Sequence, residues 1–317
     1  MDLSEFRRRF EKKNVVYYPT AVTNNPLVSV CVQTYQHVRY IRQCLDGILM
    51  QKTTFGVEIL LGEDNSSDGT RQICIAYADK YPDKIRLFLH HRANNIMING
   101  LHTGRFNFFH NLFSANGKYI AICEGDDYWI DPFKLQNQVD FLEANPTFSG
   151  TFHETRVEDE NQPSQERIYG KNAPDICTVE DTFSTYSLFH TSSFLFRKSS
   201  YVLPDWLSEV ISADMALFSI AAGFGPIKKI PGVMSVYRKH EGGVTSSPEA
   251  INNFRQKRIE LTNLLNAYHN YAFTKKAKQV INEHSIALSN TQRTKPSFFY
   301  SLKRWINFRQ RLSNLLK

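Results

Sequence analysis

Residues 27–35 read Leu27-Val28-Ser29-Val30-Cys31-Val32-Gln33-Thr34-Tyr35. This is a short, β-branched apolar run that breaks off into polar side chains. Preceded by Pro26 and too short for a helix, it reads as a buried strand. Outward from it, strand and helix patterns alternate. Arg39 to Gln51 carries Ile41, Leu45, Ile48 and Leu49 at helical spacing, and Val57 to Leu61 is a second strand. Thr70 to Tyr81 is a second helix, with Ile73, Ala76 and Tyr77 on one face, and Ile85 to Leu89 a third strand. Phe106, Phe109, Leu112 and Phe113 mark a third helix, Tyr119 to Cys123 a fourth strand, and Pro132 to Ala144 a fourth helix with proline near its first turn. Alternation with short connections predicts an α/β fold: a mostly parallel central sheet flanked by helices. Such sheets bind ligands beyond the carboxyl ends of their strands. The polar clusters fall there: Gln33-Thr34-Tyr35, Glu63-Asp64-Asn65, and Glu124-Gly125-Asp126-Asp127.

Beyond Asn145 the pattern loosens. Residues 154–175 are polar, contain Pro163 and Pro174, and read as a flexible loop. Ser192 to Arg197 and Val233 to Arg238 read as strands, with a helix from Met215 to Ala222 opened by Asp214 between them; from Pro248 onward the chain reads as helices. The length of 317 residues and a hydrophobic share of 42% allow a large core and exclude global disorder. The five cysteines show no metal or redox spacing and read as small buried hydrophobes. The opening residues, MDLSEFRRRFEKK, contain no apolar segment of signal-peptide type, and no apolar run is long enough to span a bilayer. The expectation is a cytoplasmic protein, soluble or peripheral on the inner face of the membrane.

The formal charge is +7, but from His284 to the end there are seven basic residues and no acidic one. Subtracting them from 38 leaves 31 basic against 31 acidic residues, a balanced body, so no nucleic-acid partner is expected. In the tail, Phe298, Leu302, Trp305, Leu312, Leu315 and Leu316 recur at helical spacing among Lys303, Arg304, Arg309 and Arg311. That pattern suits an anionic membrane surface, with packing on protein as the other reading.

Four constellations could carry chemistry. Tyr119 to Trp129 is a hydrophobic strand ending in Glu124, Asp126 and Asp127. Three carboxylates within four residues repel unless a cation sits between them, and Mg²⁺ or Mn²⁺ with substrate phosphates is the natural one. An acidic turn capping the next helix through Asp127 or Asp131 is the other reading. Glu63 and Asp64 end the second strand, where a carboxylate could accept a hydrogen bond from a base or ribose, while Asp68-Gly69-Thr70 suits a turn and a helix cap. Asp214 lies in a first helical turn, where the dipole alone favours an acid. Tyr237-Arg238-Lys239-His240-Glu241-Gly242-Gly243 ends a strand in cations and a glycine pair, which could grip a diphosphate or be a basic surface loop.

These motifs, in this order, resemble those of family 2 glycosyltransferases. Pro26 to Tyr35 resembles their opening strand, Glu58 to Thr70 their nucleoside loop, and Glu124-Gly125-Asp126-Asp127 stands where they carry Asp-x-Asp. One position departs from the pattern, Glu124 standing for the first Asp. The resemblance covers about residues 26–245 and implies a GT-A-type, Rossmann-like domain over that range, with 26–130 binding the nucleotide-sugar and 131–245 on the acceptor side. Residues 1–25 remain as a leader and 246–317 as a C-terminal helical extension with the basic amphipathic tail.

It implies that Thr34, Tyr35, Glu63 and Asp64 hold the nucleoside, that Glu124, Gly125 and Asp126 surround ribose and metal, and that Arg238 and His240 close over the diphosphate. The metal set it implies is Asp126, Glu124 and His240, with Asp214 as general base. The implied activity is inverting transfer of a sugar from a nucleotide-sugar, UDP-linked by preference, to a glycan or lipid-linked hydroxyl acceptor in bacterial surface polysaccharide or glycan assembly. A dinucleotide oxidoreductase or a sugar-phosphate nucleotidyltransferase would need glycines after the first strand, where Gln33-Thr34-Tyr35-Gln36-His37-Val38 has none. A non-catalytic nucleotide-sugar scaffold and a nucleic-acid binder led by the tail are the other readings.

Overall fold

A computed structural model of the protein describes residues 2–22, 25–98, 101–200, 203–240 and 248–294. The strands in chain order are β1 (Val16–Tyr17), β2 (Val28–Thr34), β3 (Val57–Glu63), β4 (Ile85–Leu89), β5 (Met97–Ile98), β6 (Leu101–His102), β7 (Tyr119–Ile122), β8 (Tyr128–Trp129), β9 (Gly150–Asp159), β10 (Arg167–Tyr169), β11 (Ile176–Cys177), β12 (Leu195–Arg197) and β13 (Ile227–Lys239). The helices are α1 (Leu3–Phe10), α2 (Ile41–Leu49), α3 (Thr70–Lys80), α4 (Arg105–Ser114), α5 (Lys134–Ala144), α6 (Val179–Thr182), α7 (Ala213–Ala222), α8 (Pro248–Tyr268) and α9 (Thr274–Thr294).

One large sheet runs β1-β4-β3-β2-β7-β12-β9-β13-β11, with β10 on β9 and β8 on β13. β4, β3, β2 and β7 are parallel, and the direction of chain progression reverses between β2 and β7. In open α/β sheets that reversal opens a ligand crevice. Beyond it the sheet is mixed: β12 lies antiparallel between β7 and β9, and β13 runs parallel to β9.

β2 reads as a nearly unbroken apolar run because it is buried on both faces. Val28, Val30 and Val32 pack with Ile41, Cys44, Leu45 and Ile48 of α2 and with Leu135 and Val139 of α5. Cys31, on the other face, joins Phe106, Phe109 and Leu112 of α4. Helix α4 is pinned to the strand ends by two buried amides. Asn107 donates to the Gly62 carbonyl at 2.7 Å and Asn111 to the Val32 carbonyl at 2.9 Å. A Cβ on Gly62 would lie 1.7 Å from the Asn107 side-chain oxygen, so only glycine permits this approach. The crevice wall carrying Thr34 and Glu63 is thereby held rigid.

The segment read as a leader is built into the fold. Phe6 of α1 is buried against Phe106, Phe109 and Phe113, with ring centroids 5.2, 6.1 and 5.3 Å away. β1 pairs antiparallel with β4, Val16 opposite Leu89 and Tyr17 opposite Phe88. Residues 154–175 are not a loop throughout, since β9 continues to Asp159 and β10 pairs back onto it. At the other end, Leu261 and Leu265 of α8 and Ala277 and Val280 of α9 join the core around α7. All five cysteines are free and buried. Among the described residues, no helix is long and apolar enough to cross a membrane. The glycine pair Gly242-Gly243 and the tail after Pro296 lie outside the described residues.

Candidate active site

The turn after β2 and the end of β3 form one wall of the crevice. The buried hydroxyl of Thr34 has no hydrogen-bond partner among the described residues. Tyr35 is partly exposed, and the Arg92 guanidinium lies 3.9 Å over its ring. Arg92 also donates to Asp64 at 2.6 Å, and Asn95 donates to the same carboxylate oxygen at 3.1 Å. Burial pushes the Asp64 pKa up, while Arg92 pulls against it. Glu63 is wholly buried, and both its oxygens are engaged: Ser66 N donates at 2.6 Å, Asn65 N at 3.2 Å, and Arg71 pairs with it at 2.5 Å. Glu63 therefore shapes the turn that presents Asp64.

Across the switch point, β7 delivers Glu124 to Asp127. Gly125 N donates to the Gln33 carbonyl at 2.9 Å, which sews this turn to the end of β2. A Cβ on Gly125 would sit 2.7 Å from both Cβ and Oγ1 of Thr34. The three carboxylates then diverge in character. Glu124 accepts from the Thr191 hydroxyl at 2.6 Å, yet burial and the charges of Asp126 and Asp214 push its pKa up to about 7. Burial, followed by Asp126 and Glu124, drives Asp127 well above the carboxylate range; its Oδ1 accepts from Arg238 N at 3.0 Å and its Oδ2 lies 3.7 Å from His190 Nδ1. Burial also acts to raise Asp126, but His240 and His37 outweigh it and hold Asp126 below its usual value. His240 Nε2 is 3.1 Å from Asp126 Oδ2, and this bond raises the His240 pKa.

Crowded carboxylates that resist ionisation are what a divalent cation would relieve, and ligand atoms to hold one converge here. His37, Asp126 and His240 place theirs within 4.8 Å of one another, as do Glu124, Asp127 and His190. These residues fit a metal ion.

Arg238 is committed to the acidic turn. Its guanidinium donates to the Asp126 carbonyl at 2.6 Å and to Gln43, and lies 4.2 Å over the Tyr128 ring. Asp214 enters in the first turn of α7, behind Ser212, whose φ of 72° is a left-handed conformation that costs a non-glycine residue about 1 kcal/mol or more. Asp214 acts electrostatically on Glu124 and on two buried arginines, Arg105 and Arg258. Burial lowers both guanidinium pKa values to about 10, against the pull of Asp214.

Thus Thr34, Tyr35 and Asp64 share one wall, Asp126 meets His240, and the charge of Asp214 is felt at Glu124. His37 and His190 were not singled out from the sequence. His37 follows β2 directly, but His190 reaches Asp127 from more than sixty positions away, and no spacing rule could pair them.

A model described as glycosyl transferase family 2 matches residues 29–222. The chain belongs to that family. An uncharacterized protein of Mycobacterium tuberculosis is 35% identical over 221 residues, 69% of this chain, and the chain spans 61% of that relative's length. An uncharacterized glycosyltransferase of Nostoc is 27% identical over 250 residues, 74% of this chain and 73% of the relative. Among solved structures, Staphylococcus aureus TarS 1–349 superposes with a TM-score of 0.56 at 18% identity, covering 88% of this chain and 78% of TarS. The mannosyltransferase PcManGT of Pyrobaculum calidifontis, solved with GDP-Man and Mn²⁺, gives 0.54 at 17% identity, covering 95% and 86%. At these identities the likeness is one of fold, and the fold is the GT-A type of family 2 glycosyltransferases.

Proposed function

We propose that this family 2 protein is an inverting glycosyltransferase that moves a sugar from a nucleotide diphosphate sugar, UDP-linked by preference, to a hydroxyl acceptor. The acceptor class is a glycan or lipid-linked glycan of bacterial surface assembly, met at the inner face of the membrane. The observation that carries the reading is convergence at one switch point: a nucleoside wall with an unsatisfied Thr34 hydroxyl, a crowded acidic turn joined to His240, and Asp214 close enough to act on Glu124. TarS structures with UDP and UDP-GlcNAc and the PcManGT structure with GDP-Man and Mn²⁺ support a nucleotide-sugar donor without choosing its base.

In this reading Thr34, Tyr35 and Asp64 hold the base, Tyr35 offering a stacking surface. Asp126 and His240, with Glu124 beside them, would hold Mn²⁺ or Mg²⁺, which supplies charge neutralisation at the leaving diphosphate. Arg238 keeps the acidic turn in place. Asp214 takes the acceptor proton as the hydroxyl attacks the anomeric carbon, in one in-line displacement that inverts configuration.

The test is a thermal-shift screen of the full chain against UDP, GDP, dTDP and CMP and their common sugar conjugates, with and without Mn²⁺. It is followed by NMR of the anomer formed with the best donor. A metal-dependent shift for one nucleotide family supports the reading. No metal-dependent shift with any of them, or retained anomeric configuration, overturns it.

A further inference from the structure

His37 stands in the turn after β2 with its Nε2 3.7 Å from Asp126 Oδ2, beyond hydrogen-bond range. Its backbone N donates to Thr70 Oγ1 at 2.9 Å, and its Nδ1 is buried without a partner under Gly125, 3.0 Å from where a Cβ would be. Nε2 is the nitrogen that approaches the Asp126 carboxylate. The His240 ring stands edge-on to it, centroids 6.3 Å apart at 87°. The ligand atoms of His37, Asp126 and His240 lie within 4.8 Å of one another. Two ligands at about 2.1 Å from one ion are about 3 Å apart when perpendicular and about 4.2 Å apart when opposite, so the spread suits a shared ion.

We propose that His37 is a third protein ligand of the metal ion, completing with Asp126 and His240 a two-histidine, one-carboxylate set that selects a first-row transition-metal ion over Mg²⁺. Imidazole is a good ligand for such ions, whereas Mg²⁺ keeps to oxygen donors and water. The inference rests on the metal-dependent transferase reading and adds to it the identity of the ion and one residue that holds it.

The experiment loads the full chain with Mn²⁺ alone and counts coordinated nitrogens by pulsed electron paramagnetic resonance. Affinities for Mn²⁺, Co²⁺ and Mg²⁺ are then measured by calorimetry for the unaltered chain and for His37→Ala, His37→Gln and Asp126→Ala. Two imidazole nitrogens are expected, falling to one in His37→Ala. The Mn²⁺ and Co²⁺ dissociation constants should rise about 10- to 100-fold, and that for Mg²⁺ less than about threefold. One nitrogen or none in the unaltered chain, or no Mn²⁺ bound at millimolar concentration, overturns the proposal. So does an unchanged Mn²⁺ affinity in both His37 variants. If Asp126→Ala abolishes metal binding while the His37 variants do nothing, the proposal falls and the transferase reading stands. Two nitrogens in a chain that turns over no nucleotide-sugar would keep the metal assignment and remove the transferase reading.

Discussion

Replacing Lys134 with Met is expected to raise stability at pH 6 and to do so much less at pH 9. Lys134 is fully buried at the start of α5; its ammonium donates to Gln138 at 2.8 Å and lies 4.0 Å over the Trp129 ring. Burial lowers its pKa from 10.5 to about 7. At about 1.4 kcal/mol per unit, that shift corresponds to about 5 kcal/mol of disfavour for the charged form in the fold. Below pH 7 the lysine is charged in both states and the fold bears the whole cost. Between 7 and 10.5 the unfolded chain holds a proton that the folded one has released, so stability climbs with pH. Two units of that window, pH 7 to 9, are worth about 3 kcal/mol.

Methionine fills the same channel without a charge but strands the Gln138 carbonyl oxygen, a pH-independent cost of about 1–3 kcal/mol. The variant should therefore be more stable by about 2–4 kcal/mol at pH 6 and nearly level at pH 9. Urea unfolding of both proteins at the two pH values, without added metal, measures the difference, and other titrations cancel between them. A stability difference that stays constant with pH would refute the buried-cation argument. The result also bears on the site, because Gln138 and Trp129 donate to the Ser193 and Ser192 carbonyls at 2.9 Å, holding the turn that delivers Thr191 to Glu124.

Asp214→Asn should keep nucleotide affinity within about twofold in calorimetry while transfer falls about 10²- to 10⁴-fold, the span of general-base catalysis; near-normal transfer would remove Asp214 from that role. Gly125→Ala must push its new Cβ away from Thr34 atoms 2.7 Å off, so a loss of about 1–3 kcal/mol of stability is expected in thermal unfolding, with weakened nucleotide binding. Tyr35→Ala should cost about 1–3 kcal/mol of nucleotide affinity if its ring stacks on the base, read as a rise in dissociation constant with no change in melting temperature.

Much of the region up to Trp129 was legible because its strands are buried on both faces and its helices on one. Val28 to Val32 and Ile41 to Ile48 leave little choice of period, and β4 runs from Ile85 to Leu89 as the sequence predicts. β9 escaped because it is polar and buried together. His153 and Thr155 are wholly enclosed, and the Thr155 hydroxyl meets that of Ser235 on β13 at 2.9 Å. A strand whose inward side chains are polar, one of them bonded to a distant strand, looks in sequence like a loop. The same holds for the site. The acidic turn announces itself within four residues, whereas the engagement of Arg238 with Gln43 and of Glu63 with Arg71 depends on the fold. Charge, strand position and the family resemblance suggested that both faced a ligand.

The first seventeen residues have a role that no catalytic argument would assign them. β4 carries a row of backbone donors and acceptors on its outer side, and two residues of β1 cover it. Phe6 likewise fills a hollow among three phenylalanines of α4, and the Arg7 guanidinium lies 5.5 Å over the Tyr17 ring. An open sheet edge beside bare aromatic rings is the kind of surface on which chains pair with one another. The N-terminal segment covers both. A chain trimmed to Pro26 would retain every residue of the crevice and be expected to come out of solution before it lost its chemistry.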